Sequence, residues 1–89
     1  MLLRDAVGKE LRATRVAQSR TLRDVARDAR VSLGYLSEVE RGQKEASSEL
    51  LASICTALNI QLSTLLGEVT SQIVKNEKTT LTVVTSDAA

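Results

Sequence analysis

A chain of 89 residues with a net charge of +1 can bury one small core and is too short for a large enzyme cleft. One Cys and no His exclude a zinc site and an internal disulfide, so no metal or cofactor is expected and the setting reads as reducing or indifferent, with the cytoplasm the expected location. The charge is unevenly placed. Residues 1–44 carry ten Lys and Arg against six Asp and Glu, residues 45–89 two against five, so the N-terminal half is the one suited to a polyanion.

The predicted elements are all helices. Tyr35 is the sole aromatic residue, which leaves Leu, Val, Ile and Ala to build a thin core that a homodimer would reinforce. Leu3, Val7 and Leu11, four apart, predict a first helix from Leu3 to about Ala17, weakened by roughly 1 kcal/mol at Gly8 relative to Ala. Leu22, Val25, Ala26 and Ala29 share one face of a second helix, with Thr21 as N-cap and Asp24 completing a capping box. The pattern breaks at Arg30-Val31 and restarts at Ser32, a second N-cap. Leu36 and Val39 then face inward and Gly42 ends the third helix.

Ser47 caps a fourth helix running to about Leu58, with Leu51, Ile54, Cys55 and Leu58 inward and Asn59 as its left-handed stop. Ser63 is the expected cap of a fifth, on which Leu66, Val69 and Ile73 form the candidate dimer stripe; the competing reading folds Val69 and Ile73 back onto the first helix. The β-branched run Thr79–Thr85 predicts a short strand or a disordered tail. No stretch has the length of a transmembrane helix and no signal-peptide pattern precedes the first charges, so no membrane partner is expected. Residues 1–67 thus form the expected domain, and 68–89 an extension of the fifth helix plus tail.

Two short helices joined by a turn of about four residues, with a small Ala at their crossing, is the helix-turn-helix arrangement, which offers its second helix to the DNA major groove. The series Leu22-x-x-Val25-Ala26, Val31-Ser32 and Leu36-Ser37-x-Val39-Glu40-Arg41-Gly42, followed by Ser47–Leu58, resembles the Xre/Cro/lambda-repressor type of domain. The run from Gly34 to Leu51 is similar to the actinobacterial regulators of Clp protease genes. The resemblance spans roughly residues 3–67 and implies an all-α, lambda-repressor-like five-helix fold with the motif on helices 2 and 3. Arg30 and Ser19 stand where the group usually has Gly, and a non-Gly residue in the left-handed region costs about 1 kcal/mol. Leu22 replaces a common Gln that relatives use on a phosphate.

The resemblance also implies roles. Leu33, Gly34 and Glu38 match base-facing positions: Leu33 for a thymine methyl, Glu38 for a cytosine amino group, Gly34 to let the helix approach closely. Arg15 matches the position whose guanidinium reaches the acid at Glu40 and fixes the angle of the third helix. By position rather than resemblance, Arg23, Arg41 and Lys44 flank the motif as phosphate ligands, joined by the helix N-terminus at Ser32, and Arg20 gathers with them on the same side. Tyr35 either donates to a phosphate or packs half-buried. Asp24 and Asp28 are available to touch RNA polymerase, and the Ala88-Ala89 end resembles tags read by Clp protease.

With no His and no glycine-rich phosphate loop, catalysis lacks a base and a cradle, so no enzyme is expected. The expected function is a homodimeric transcriptional regulator, an activator of Clp protease and stress genes, on a palindromic double-stranded operator. The rival is a protein-interaction module of the same fold, an antitoxin or partner of another regulator.

Overall fold

The structure, a computed structural model, describes the backbone of residues 1–88 and the side chains of residues 1–78. Five helices follow in order: α1 (Leu3–Ala17), α2 (Leu22–Ala29), α3 (Leu33–Glu40), α4 (Ser48–Ala57) and α5 (Leu62–Ala88). The described backbone contains no strand, and the fold is all-α.

Four of the helices stop in the same way. The chain enters the left-handed region at Ser19 (φ 55°), Arg30 (φ 59°), Gly42 (φ 72°) and Asn59 (φ 57°). At each, the residue's own N–H and that of the next residue close Schellman pairs, as in Arg30 N to Arg27 O at 3.1 Å and Val31 N to Ala26 O at 3.0 Å. Each pair satisfies carbonyls the helix end would otherwise orphan, which offsets the steric cost at the three positions that are not Gly. Thr21, Ser32 and Ser47 cap the opposite ends of α2, α3 and α4, each hydroxyl accepting from the backbone N–H three residues on.

The core is Ala6, Leu11, Val25, Ala26, Ala29, Leu36, Val39, Ile54, Cys55, Leu58, Leu65 and Val69. In it α1 packs on α5 and α3, while α2 packs on α3 and α4. Burial pushes the Cys55 thiol above its ordinary pKa, so it is an inert apolar filler.

Several local expectations are corrected. Leu3 is exposed, and the inward stripe of α1 runs through Ala6, Gly8 and Leu11 instead. The Gln61 carbonyl accepts from Thr64 and Leu65, so α5 begins at Leu62 and Ser63 lies inside it. Val69, at 2% exposure, belongs to the core, and Ile73 packs against it; only Leu66 of the expected dimer stripe, at 42%, faces out. The reason is that α5 lies along α1, which takes up the face carrying Val69 and Ile73. The packed body therefore extends beyond the boundary expected at residue 67.

The Thr79–Thr85 backbone continues α5 rather than forming a strand or disordered tail. Extending an existing helix adds a hydrogen bond per residue fixed, while β-branched residues lose only a few tenths of a kcal/mol each. A lone strand would have no partner to pair with. The Ala88-Ala89 end lies outside the described side chains.

Candidate nucleic-acid interface

α3 has two turns and two buried residues, Leu36 and Val39, so its own inward contacts cannot fix its orientation. α1 does so at three places. Gly8 lies against the last turn of α3, where an added Cβ would collide with the Val39 carbonyl oxygen and come within 2.7 Å of the Glu40 carbonyl oxygen. Arg15 grips Glu40 with both arms of its guanidinium, Nε to Oε2 at 2.7 Å and Nη2 to Oε1 at 3.0 Å. Its remaining nitrogen donates to the Arg20 carbonyl at 2.9 Å, tying in the loop before α2. The Glu40 hydrogen bond outweighs desolvation and raises the Arg15 pKa further above its already high value. The side chains are only 14% and 6% exposed, so this pair is shielded from the screening that weakens surface bridges.

The third place is the end of the helix. Arg4 donates to the Gly42 carbonyl at 2.9 Å, and Asp5 lies under Gly42 so closely that a Cβ there would meet the Asp5 Cα at 3.2 Å. Sequence reasoning found Arg15 and Glu40 but missed Arg4 and Gly8. The signal for Gly8 was its place three residues before Leu11, on the inward stripe, where a glycine marks a close crossing. Arg20, once grouped with the DNA-facing cations, instead donates to the Ala57 carbonyl and pairs with Asp28. Gln18 donates to the Leu58 carbonyl at 2.6 Å, so the α1–α2 loop caps the end of α4.

Opposite these braces α3 is open. Leu33 is 39% exposed, and a Cβ on Gly34 would meet no atom within 4 Å. Glu38 sits one turn beyond Gly34 and pairs with Lys44, whose Nζ is 3.5 Å from Oε2. The same ammonium lies 5.8 Å from the centre of the half-buried Tyr35 ring. Arg41 is exposed and bonded to Ser37 and Gln43. Arg23, on the first turn of α2, is exposed and pairs with no carboxylate among the described residues. The Ser32 hydroxyl is engaged as the cap of α3. Asp24 and Asp28 are not bare acids: Arg27 lies 3.2 Å from Asp24 and 3.7 Å from Asp28. The Thr21 hydroxyl holds the Asp24 carboxyl below the usual carboxylate range.

α3 is thus a short helix capped by a serine, held from behind by α1 and open in front at Leu33 and Gly34. A helix-turn-helix family model matches residues 11–65, and the chain belongs to that family as a DNA-binding transcriptional regulator. Its relatives are specific. It is 54% identical over 77 residues, 86% of this chain and 69% of the relative, to the transcriptional regulator ClgR of Mycobacterium tuberculosis. The crystal structure of the clp gene regulator ClgR from Corynebacterium glutamicum superposes with a TM-score of 0.81 at 47% identity, covering 94% of this chain and 90% of that one. The restriction-modification controller protein C.AhdI from Aeromonas hydrophila matches with a TM-score of 0.68 at 29% identity, over 70% and 94% of the two chains. No single helix among the described residues is long and apolar enough to cross a membrane.

Proposed function

We propose that this regulator binds a palindromic operator as a homodimer and activates genes of the Clp protease and stress response. The observation that carries the reading is the exposed front of α3, Leu33, Gly34 and Glu38, flanked in sequence by the exposed Arg23 and Arg41, on a helix fixed from behind. The target class follows from the identity to ClgR, a clp gene regulator in its own organism. Leu33 meets a thymine methyl and Glu38 accepts from a cytosine amino group, while Gly34 lets the backbone come close. Arg23 and Arg41 take phosphates, as do the free N–H groups at the Ser32 end of α3. The half-buried Tyr35 donates its hydroxyl to a phosphate.

The dimer forms through the outward face of α5. Leu66 and Val74 are exposed there, and Leu66 borders a groove shared with Leu3, Val7, Ala46 and Leu51. Two-fold symmetry then sets half-site centres about 34 Å apart, or a multiple of that. A polymerase contact at Asp24 and Asp28 would meet acids already paired with arginine, so activation depends on shape there as much as on charge.

Selection from random duplexes, followed by footprinting on the clp promoters of the source genome and transcription from them, tests the reading. The expected result is a palindrome, protection upstream of the core promoter and increased transcript. Arg41→Ala should lower the salt slope by about one unit. Enrichment of no duplex, with Arg23 and Arg41 variants binding DNA as the wild type does, would favour the protein-interaction module instead.

A further inference from the structure

We infer that Lys44 is not a phosphate ligand, as its position after the motif suggested, but the residue that sets Glu38 for base reading. The inference rests on the base-reading role proposed above for Glu38. A carboxylate in the last turn of α3 is poorly placed twice over. It lies near the negative end of the helix dipole, and in a groove it would be flanked by phosphates. Something must neutralise it without covering the oxygen that accepts from the base.

The fold supplies that group. The Schellman turn at Gly42 brings the chain back over the helix, with the Gln43 N–H on the Glu38 carbonyl at 2.9 Å, and Lys44 is the next residue. Its ammonium then has two anchors one helical turn apart on the same face, Glu38 Oε2 at 3.5 Å and the Tyr35 ring at 5.8 Å. The bridge is to Oε2 at 3.5 Å, on a side chain that stays 41% exposed, so the carboxylate is neutralised without being covered. Moving Lys44 to a phosphate would break both anchors and strand the carboxylate among like charges. Arg41 and Arg23 supply phosphate contacts without that penalty. Lys44 is thus a positioning residue acting through Glu38, and Tyr35 is the rest on which its ammonium sits.

The test compares Lys44→Met, Glu38→Gln, the double variant K44M/E38Q and Lys44→Arg against operators carrying each base pair at the position that Glu38 reads. K44M should cut the preference at that one pair about tenfold, to the level of E38Q, because a good base contact discriminates on that order. The double variant should be no worse than either single one, and K44R, which can still pair with the carboxylate, should restore the preference. Because the double variant leaves net charge unchanged, its salt slope should equal that of the wild type. K44M retaining the preference while weakening every operator equally, with a slope about one unit lower in the double variant, would overturn the inference. If E38Q itself leaves all preferences unchanged, the base-reading role of Glu38 fails, a result distinct from the failure of Lys44 alone.

Discussion

Gly8→Ala sets two known effects against each other, and the structure decides which wins. In an open helix the change should stabilise, since Ala exceeds Gly by about 1 kcal/mol in helix propensity. Gly8 is buried against α3, however, and the atoms its new Cβ would strike are backbone: the Val39 carbonyl oxygen, and the Glu40 carbonyl oxygen and carbon at 2.7 and 3.0 Å. Ordinary contact requires more than 3.4 Å, so α1 and α3 must move apart by several tenths of an ångström or more. No flexible side chain is available to yield in their place. That movement stretches the Arg15–Glu40 fork and the Arg4–Gly42 bond, which hold the same two helices together. Overpacking of this kind costs about 1–3 kcal/mol, and at a rigid backbone contact the upper part of that range applies. Subtracting the propensity gain leaves a net loss of about 1–2 kcal/mol, or roughly 5–15 °C in Tm for a domain of this size. Thermal and urea unfolding followed by circular dichroism measure it. A Tm equal to or above the wild type would mean that the helices have slack and that α1 does not fix α3.

Gly34 provides the matching control: Gly34→Ala should raise stability by about 1 kcal/mol because nothing lies near its Cβ, whereas Gly34→Leu should fold normally yet lose operator binding. A folded G34L that binds DNA as the wild type does would remove Gly34 from the interface. Arg30→Gly should stabilise by about 0.5–1 kcal/mol by relieving the left-handed residue at φ 59°, and a loss on urea titration would refute this. Glu40→Ala deprives the part-buried Arg15 guanidinium of its carboxylate partner and should cost about 1.5–3 kcal/mol, as calorimetry would show; a cost under about 1 kcal/mol would class the pair with weak surface bridges. The Asp24 carboxyl has a folded-state pKa below its unfolded value, so its contribution is present above the usual carboxylate range and is lost as pH falls through the folded value. Thr21→Val should therefore lower stability at neutral pH by about 1 kcal/mol through loss of the cap, and should flatten the acid limb of the stability–pH curve. An unchanged acid limb would assign the Asp24 shift to another cause.

Where local chemistry decides the conformation, the sequence was legible. Thr21, Ser32 and Ser47 announce helix starts because a hydroxyl there reaches an orphan N–H, and each does so in the structure. The left-handed stops at Arg30, Gly42 and Asn59 were equally readable, as were the apolar faces of α2, α3 and α4. Tertiary choices were less so. Leu66, Val69 and Ile73 share one periodic stripe, but which of them faces a neighbour depends on how α5 rolls against α1. Thr79–Thr85 has strand propensity, yet the helix already formed before it prevails. Gly8 read as a weakness because its neighbour across the crossing is remote in sequence. Arg20 read as a generic DNA-facing cation because a positive charge does not reveal which carboxylate or carbonyl it will find.

Those misreadings share a cause that bears on how the interface works. Of the cations grouped by sequence on the DNA side, Arg20 is committed to α4 and Asp28, and Lys44 to Glu38, while Arg23 has no carboxylate partner among the described residues. The +4 balance of residues 1–44 therefore overstates the charge offered to phosphates. Much of it is spent on geometry: Arg4 and Arg15 hold α3 to α1, and Arg20 holds the α1–α2 loop to α4. An eight-residue helix with two buried residues has little of its own to resist rotation, and rotating it would carry Leu33, Gly34 and Glu38 off the base edges proposed for them. Affinity bought with more free cations would act equally on every DNA sequence. Cations placed behind and beside the helix instead fix which atoms face the groove, and that is the property a regulator needs to tell one operator from another.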